Sequence, residues 1–168
     1  MLEPIQRVPA AGSREIGRME AEMPIEKPHL RHNYLAIAVA AVTCFLLFVA
    51  WYSIFLETWL AGIGHNREWL AGLDVSLPLQ CVTALVSALL LAICISAFTQ
   101  LTGPMTAMRG VKIAFGLWLG CVLTTRATQN VFEAHSYSHF ALNTGFWLLA
   151  MTMMGAIVGG WKKAGARD

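Results

Sequence analysis

Residues 34–56 read YLAIAVAAVTCFLLFVAWYSIFL, a run without one charged side chain and apolar on every side when wound as a helix. The hydrocarbon core of a bilayer is about 30 Å thick, and at about 1.5 Å rise per residue a helix needs roughly 20 apolar residues to cross it. The stretch therefore predicts a transmembrane helix. Three more follow, at about 79–101, 111–132 and 140–161. The predicted fold is all-α, a four-transmembrane-helix bundle over residues 34–161, with a largely disordered N-terminal tail (1–33) and a short basic C-terminal tail (162–168).

Composition agrees: 57% of the residues are hydrophobic and 13% charged, against roughly 25% charged in a soluble domain. A net charge of +2 is too small to point to nucleic acid, and no nucleic-acid partner is expected. Cys44, Cys81, Cys94 and Cys121 all fall inside or beside apolar segments without CxxC spacing, which speaks against a disulfide framework or a zinc site. They read as small fillers in helix packing.

The tail carries five basic and five acidic side chains and prolines at 4, 9, 24 and 28, too little apolar surface to offset the entropy of ordering it. Within it, Ser13 to Met23 is a candidate short helix stopped by Pro24. No basic region followed by an apolar run marks a cleavable signal, so the first span is expected to act as an uncleaved insertion signal.

Orientation follows from basic residues in short flanks. Ten of the twelve share one side: Arg7, Arg14, Arg18, Lys27 and Arg31, then Arg109 and Lys112, then Lys162, Lys163 and Arg167. Arg67 and Arg126 stand opposite, so both termini are expected in the cytoplasm. Trp51-Tyr52 suits an interfacial aromatic belt, and the connection 57–78 is expected to hold a short amphipathic helix around Trp59–Leu73.

Asn33-Tyr34-Leu35-Ala36-Ile37, Trp51-Tyr52-Ser53, Phe132-Glu133 and the closing Gly155-Ala156-Ile157-Val158-Gly159-Gly160-Trp161 occur in an order and spacing that resembles the bacterial membrane proteins called domain of unknown function 1761. The resemblance covers about residues 33–161. It implies four transmembrane helices in a bacterial inner membrane and supplies no activity, substrate or cofactor. Family members commonly place a glycine before the Trp-Tyr pair, where this chain has Phe48-Val49-Ala50, and a Phe-Gly-Lys-like stretch after it, where this chain has Ile54-Phe55-Leu56-Glu57.

The third span is the unusual one, because Thr124, Thr125, Arg126, Thr128, Gln129 and Asn130 crowd its second half. An arginine inside a span is paired, functional, or reaches to the headgroups, and Glu57 and Glu133 are the candidate partners. With Asn143 and Gln80 at the same depth, Arg126, Gln129 and Asn130 outline a polar outer vestibule. Interhelical hydrogen bonding is one use of these groups and a site for an anion or small polar solute the other.

His135 and His139 are four apart, a spacing that metal sites use on a helix, with Glu133 and His65 as possible further ligands. The intervening Ser136-Tyr137-Ser138 equally suits a turn that leaves the histidines solvated. No span holds a central histidine, which speaks against haem, and no nucleophile motif, phosphate loop or paired carboxylates support an enzyme; no cofactor is expected. Gly116-x-x-x-Gly120 and Gly155-x-x-x-Gly159, with Ala84, Ala88, Ala92 and Ser96, read as close-packing faces inside the bundle or toward another subunit.

Three function classes remain open from sequence. The first is an accessory or structural subunit of a membrane complex, the second a small homo-oligomeric transporter or channel around Arg126, and the third a metal-handling protein or enzyme. The expected partners are the bilayer and other membrane subunits or further copies of the chain.

Overall fold

A computed structural model describes residues 30, 33–74 and 76–161. Apart from Leu30 and Asn33, the N-terminal tail with its candidate helix 13–23 lies outside the described residues, as does the C-terminal tail 162–168. Those described form helices and connecting turns with no strand.

The first spanning helix, α1 (Tyr34–Ile54), starts where Asn33 Oδ1 accepts from Ala36 N at 3.3 Å. It breaks at Phe55, and two short helices follow, α2 (Leu56–Gly62) and α3 (Arg67–Ala71). These replace the single amphipathic helix expected around Trp59–Leu73, because Gly64 takes a positive φ of 76° and turns the chain. Next, α4 (Leu77–Leu101) carries Pro78 in its first turn, where a missing N–H costs nothing, so it begins two residues before the expected span. The third span is continuous from 107 to 132 but changes type within its length: α5 (Ala107–Leu117), a π-helical stretch (Trp118–Leu123) and α6 (Thr124–Phe132). It starts before Val111 because Thr106 Oγ1 caps Arg109 N at 3.2 Å. The last helix, α7 (Tyr137–Gly160), is capped by Ser136 on His139 N at 3.2 Å.

Four helices are thus long and apolar enough to cross a membrane: 34–54, 77–101, 107–132 and 137–160. Consecutive spans run antiparallel, and α7 is the hub, packing against α1, α4 and the third span. Half of its apolar window is buried, against 11% for the third span. The core joins Ile37, Ala40 and Cys44 of α1, Ala88, Ala92 and Ile95 of α4, Ala114 of α5, and Phe146, Met151, Met154 and Val158 of α7.

The tightest crossing is α5 on α7. A Cβ on Gly110 would overlap the Gly155 carbonyl, one on Gly155 the Gly110 carbonyl, and one on Gly159 the Thr106 carbonyl. Gly155 and Gly159 therefore pack inside the bundle, with Gly110 as partner. Gly116 and Gly120 do not: nothing lies within 4 Å of a Cβ at either, because both sit on the face of the third span turned away from α7.

Candidate functional site

The end of the bundle away from residues 34 and 160, called distal below, is closed by two turns of the same construction. After α2, Gly64 N donates to Ala61 O and His65 N to Leu60 O; after α6, Ala134 N donates to Val131 O and His135 N to Asn130 O. Each is a helix end with a residue at positive φ, Gly64 at 76° and Ala134 at 54°, followed by a histidine. In each the next residue, Asn66 or Ser136, caps the following helix. The repeated turn brings His65 and His135 to the wall of one distal cavity. Nothing in the one-letter text marked this repeat, because the two turns share only the histidine.

That cavity measures about 700 Å³. Arg126, Glu133, His139, Asn143 and Gln80 line it with the two histidines, and Phe48, Tyr52, Trp59 and Trp69 supply aromatic walls. The lid α2–α3 reaches α7 through a Ser136 N to Gly62 O hydrogen bond of 3.1 Å. Gly62 permits that approach, since a Cβ there would stand 2.6 Å from His139 Cβ.

Arg126 reaches the cavity through an unusual register. Gly110, Ala114, Trp118, Val122, Arg126 and Asn130 recur every four residues. In a pure α-helix each such step overshoots a turn by about 40°, so five steps would swing Asn130 roughly 200° from Gly110. The π turn holds more residues and offsets the drift, so the whole series faces α7 or the core. Gly110 and Ala114 meet Gly155, Trp118 Nε1 donates to Thr144 O at 3.0 Å, and Val122 packs on the core. Asn130 Oδ1 lies 3.5 Å from His139 Nδ1, and Asn130 Nδ2 donates to His135 O at 3.0 Å. The threonines between them bond back to their own helix, Thr125 Oγ1 to Cys121 O and Thr128 Oγ1 to Thr124 O.

The structure gathers Arg126, Asn130, Glu133, Asn143 and the two histidines around the cavity and its small inner recess. Gln129 also lines that recess, and its Oε1 lies 3.4 Å from Arg126 Nη1. Glu57 stands apart: it pairs with Arg67 on the exposed lid. Glu133 lies 3.3 Å from His135 Nδ1. Neither carboxylate, each a candidate partner, forms an ion pair with Arg126 among the described residues.

Tyr52, read as part of an interfacial belt, turns inward. Its hydroxyl donates to Asn143 Oδ1 at 2.5 Å, and its ring packs on Phe48 and Phe146. Asn143 Nδ2 donates to His139 O at 2.9 Å. His135 and His139 are not stacked on one helix face, because α7 begins between them, yet their ring centroids are 4.6 Å apart. Among the described residues no three His, Cys, Asp or Glu side chains converge as a metal-binding group.

These features define a class: a bundle of four candidate membrane spans with a polar, aromatic-walled vestibule at one end. A family model described as protein of unknown function (DUF1761) matches residues 35–159, and the chain belongs to that family. No curated protein and no solved structure matches it.

Proposed function

We infer that the chain is a multi-pass protein of a bacterial inner membrane with both termini cytoplasmic, and that its distal vestibule faces the opposite side and binds a small organic anion through Arg126. The basic residues support the orientation, ten of twelve lying in the two tails and the first turns of α5.

The observation that carries the binding reading is the state of Arg126. Placing a guanidinium at the centre of a span costs about 3 kcal/mol on insertion scales, less toward the ends. Among the described residues Gln129 is its one hydrogen-bond partner and it has no ion pair, and it borders a cavity of about 700 Å³. An anionic ligand supplies the missing counter-charge. Fully buried Phe146, Met151 and Met154 fill the bundle beneath, which favours a binding site over a pore through one copy.

The test is a titration of purified full-length protein with butyrate, followed by intrinsic fluorescence, since Trp59 and Trp69 line the cavity. Wild type is expected to give a saturable change that weakens at least about tenfold in Arg126→Gln. Arg109→Gln, at the other end of the bundle, is expected to leave it unaltered. Identical isotherms for wild type and Arg126→Gln would overturn the reading.

The exposed Gly116–Gly120 face favours a second reading, a subunit that docks another helix there. Mass measurement after mild-detergent extraction tests it: other proteins co-purifying supports the subunit, and an isolated monomer sinks it.

A further inference from the structure

We propose that the vestibule's ligand is a single-chain anionic amphiphile, with its headgroup at Arg126 and its acyl chain in the apolar cleft between α1, α4 and α7. This rests on the anion-binding reading above and names the ligand class.

The cleft holds about 430 Å³ and is walled by Cys44 and Phe45 of α1, Ala84 and Ala88 of α4, and Phe146 and Trp147 of α7. It exists because α4 presents Ala84, Ser87 and Ala88 where larger side chains would close the gap to α1. Leu79, Thr83 and Ser87 in its wall are exposed, so the cleft opens on the surface of the bundle, where unfilled apolar walls lack dispersion contacts. A hydrocarbon chain restores those contacts and asks for no hydrogen bond.

The cleft adjoins the vestibule. Phe48 and Gln80 belong to the walls of both cavities, so the charged chamber and the apolar one lie side by side, and a ligand spanning them passes these two side chains. A molecule that satisfies both must carry an anionic group at one end and a hydrocarbon tail at the other. A second cleft of about 390 Å³ also borders Arg126, but Thr125 and Gln129 share its wall with Leu91 and Val122, so the more apolar cleft at Ala84 is the one that suits a single hydrocarbon chain. A short polar anion would fill only the chamber, and a neutral lipid would leave Arg126 without a counter-charge. The aromatic walls shared by Phe48, Tyr52 and Trp59 suit the junction between head and tail.

The experiment uses full-length protein in phosphatidylcholine nanodiscs and 9,10-dibromostearate, whose bromines quench nearby indoles. Its methyl ester is the neutral control and butyrate the short-chain control. The expected result has four parts. Dibromostearate quenches saturably and the ester does not. Trp147→Phe removes a large share of that quenching. Arg126→Gln weakens binding at least about tenfold. Ala84→Phe and Ser87→Phe, which fill the cleft from two positions, weaken dibromostearate but leave butyrate unaffected.

If dibromostearate binds no more tightly than butyrate, or both cleft-filling variants leave its affinity unchanged while Arg126→Gln still matters, the amphiphile is overturned and the anion site stands. If Arg126→Gln alters neither probe, both readings fail together.

Discussion

Asn143 shows how a polar side chain is kept inside an apolar bundle. Its oxygen takes the Tyr52 hydroxyl and its amide nitrogen bonds the His139 carbonyl one turn back, so little is left unsatisfied. Hydrogen bonds between membrane helices average about 0.6 kcal/mol and reach about 1.7. Tyr52→Phe is therefore expected to lower stability by about 1 kcal/mol and Asn143→Ala by more, read from the denaturant midpoint in mixed micelles. If neither shifts the midpoint, the bond does not anchor α1 to α7. Ala134 is a second residue-scale case. Its φ of 54° lies in the left-handed region, costing a residue with a Cβ about 1 kcal/mol. Ala134→Gly is expected to raise the melting temperature, as Gly64 does the same task without strain at the sister turn. A drop would show that the loop is held by something other than its backbone. Arg126 and Asn143 were legible as site candidates because an ionisable group or amide in an apolar run stands out. Tyr52 was not, since a Trp-Tyr at a helix end reads as an interfacial belt and only tertiary packing turns it inward.

At the scale of elements, the two glycine pairs of the sequence separate. Gly155 and Gly159 meet the backbone of α5 at Gly110, while Gly116 and Gly120 face open space. Gly110→Val is expected to destabilise the bundle strongly, since its side chain would overlap a carbonyl rather than a side chain that can move. Gly116→Ala is expected to be neutral or to stabilise by up to about 1 kcal/mol, the helix-propensity difference between the two residues. Thermal unfolding of the two variants side by side checks this, and comparable losses would place Gly116 in an interface. GxxxG names the glycines but not the faces they occupy. The four-residue register from Gly110 to Asn130 shows only in the structure, because these six residue types share no property that would mark one face in the sequence. Helix starts were blurred by two to four residues for a similar reason: Thr106 and Ser136 set them, through local hydrogen bonds, ahead of the first strongly apolar residue.

For the whole molecule, four apolar runs separated by short polar turns left an antiparallel helical bundle as the arrangement to expect, and that much was legible. The hub role of α7 was not, because nothing in an apolar run marks which span is most enclosed, although half of the α7 window is buried against 28% or less in the other three. The vestibule likewise depends on two chain-distant turns coming together. Sidedness belongs to this scale. A single cysteine at Glu68 of the lid, in a background lacking Cys44, Cys81, Cys94 and Cys121, is expected to react with an impermeant maleimide on intact cells. A cysteine beyond Trp161 is expected to react only after lysis. The reverse pattern would put the vestibule in the cytoplasm.

The central claim is that Arg126 holds an anionic molecule in the distal vestibule. Native mass spectrometry of full-length protein in mild detergent tests it directly, with Arg126→Gln and Arg109→Gln prepared in parallel. The expected spectrum shows a bound anionic adduct on wild type and on Arg109→Gln that is missing from Arg126→Gln. Equal adduct populations on all three proteins, or none on wild type even after incubation with stearate and with butyrate, would contradict it.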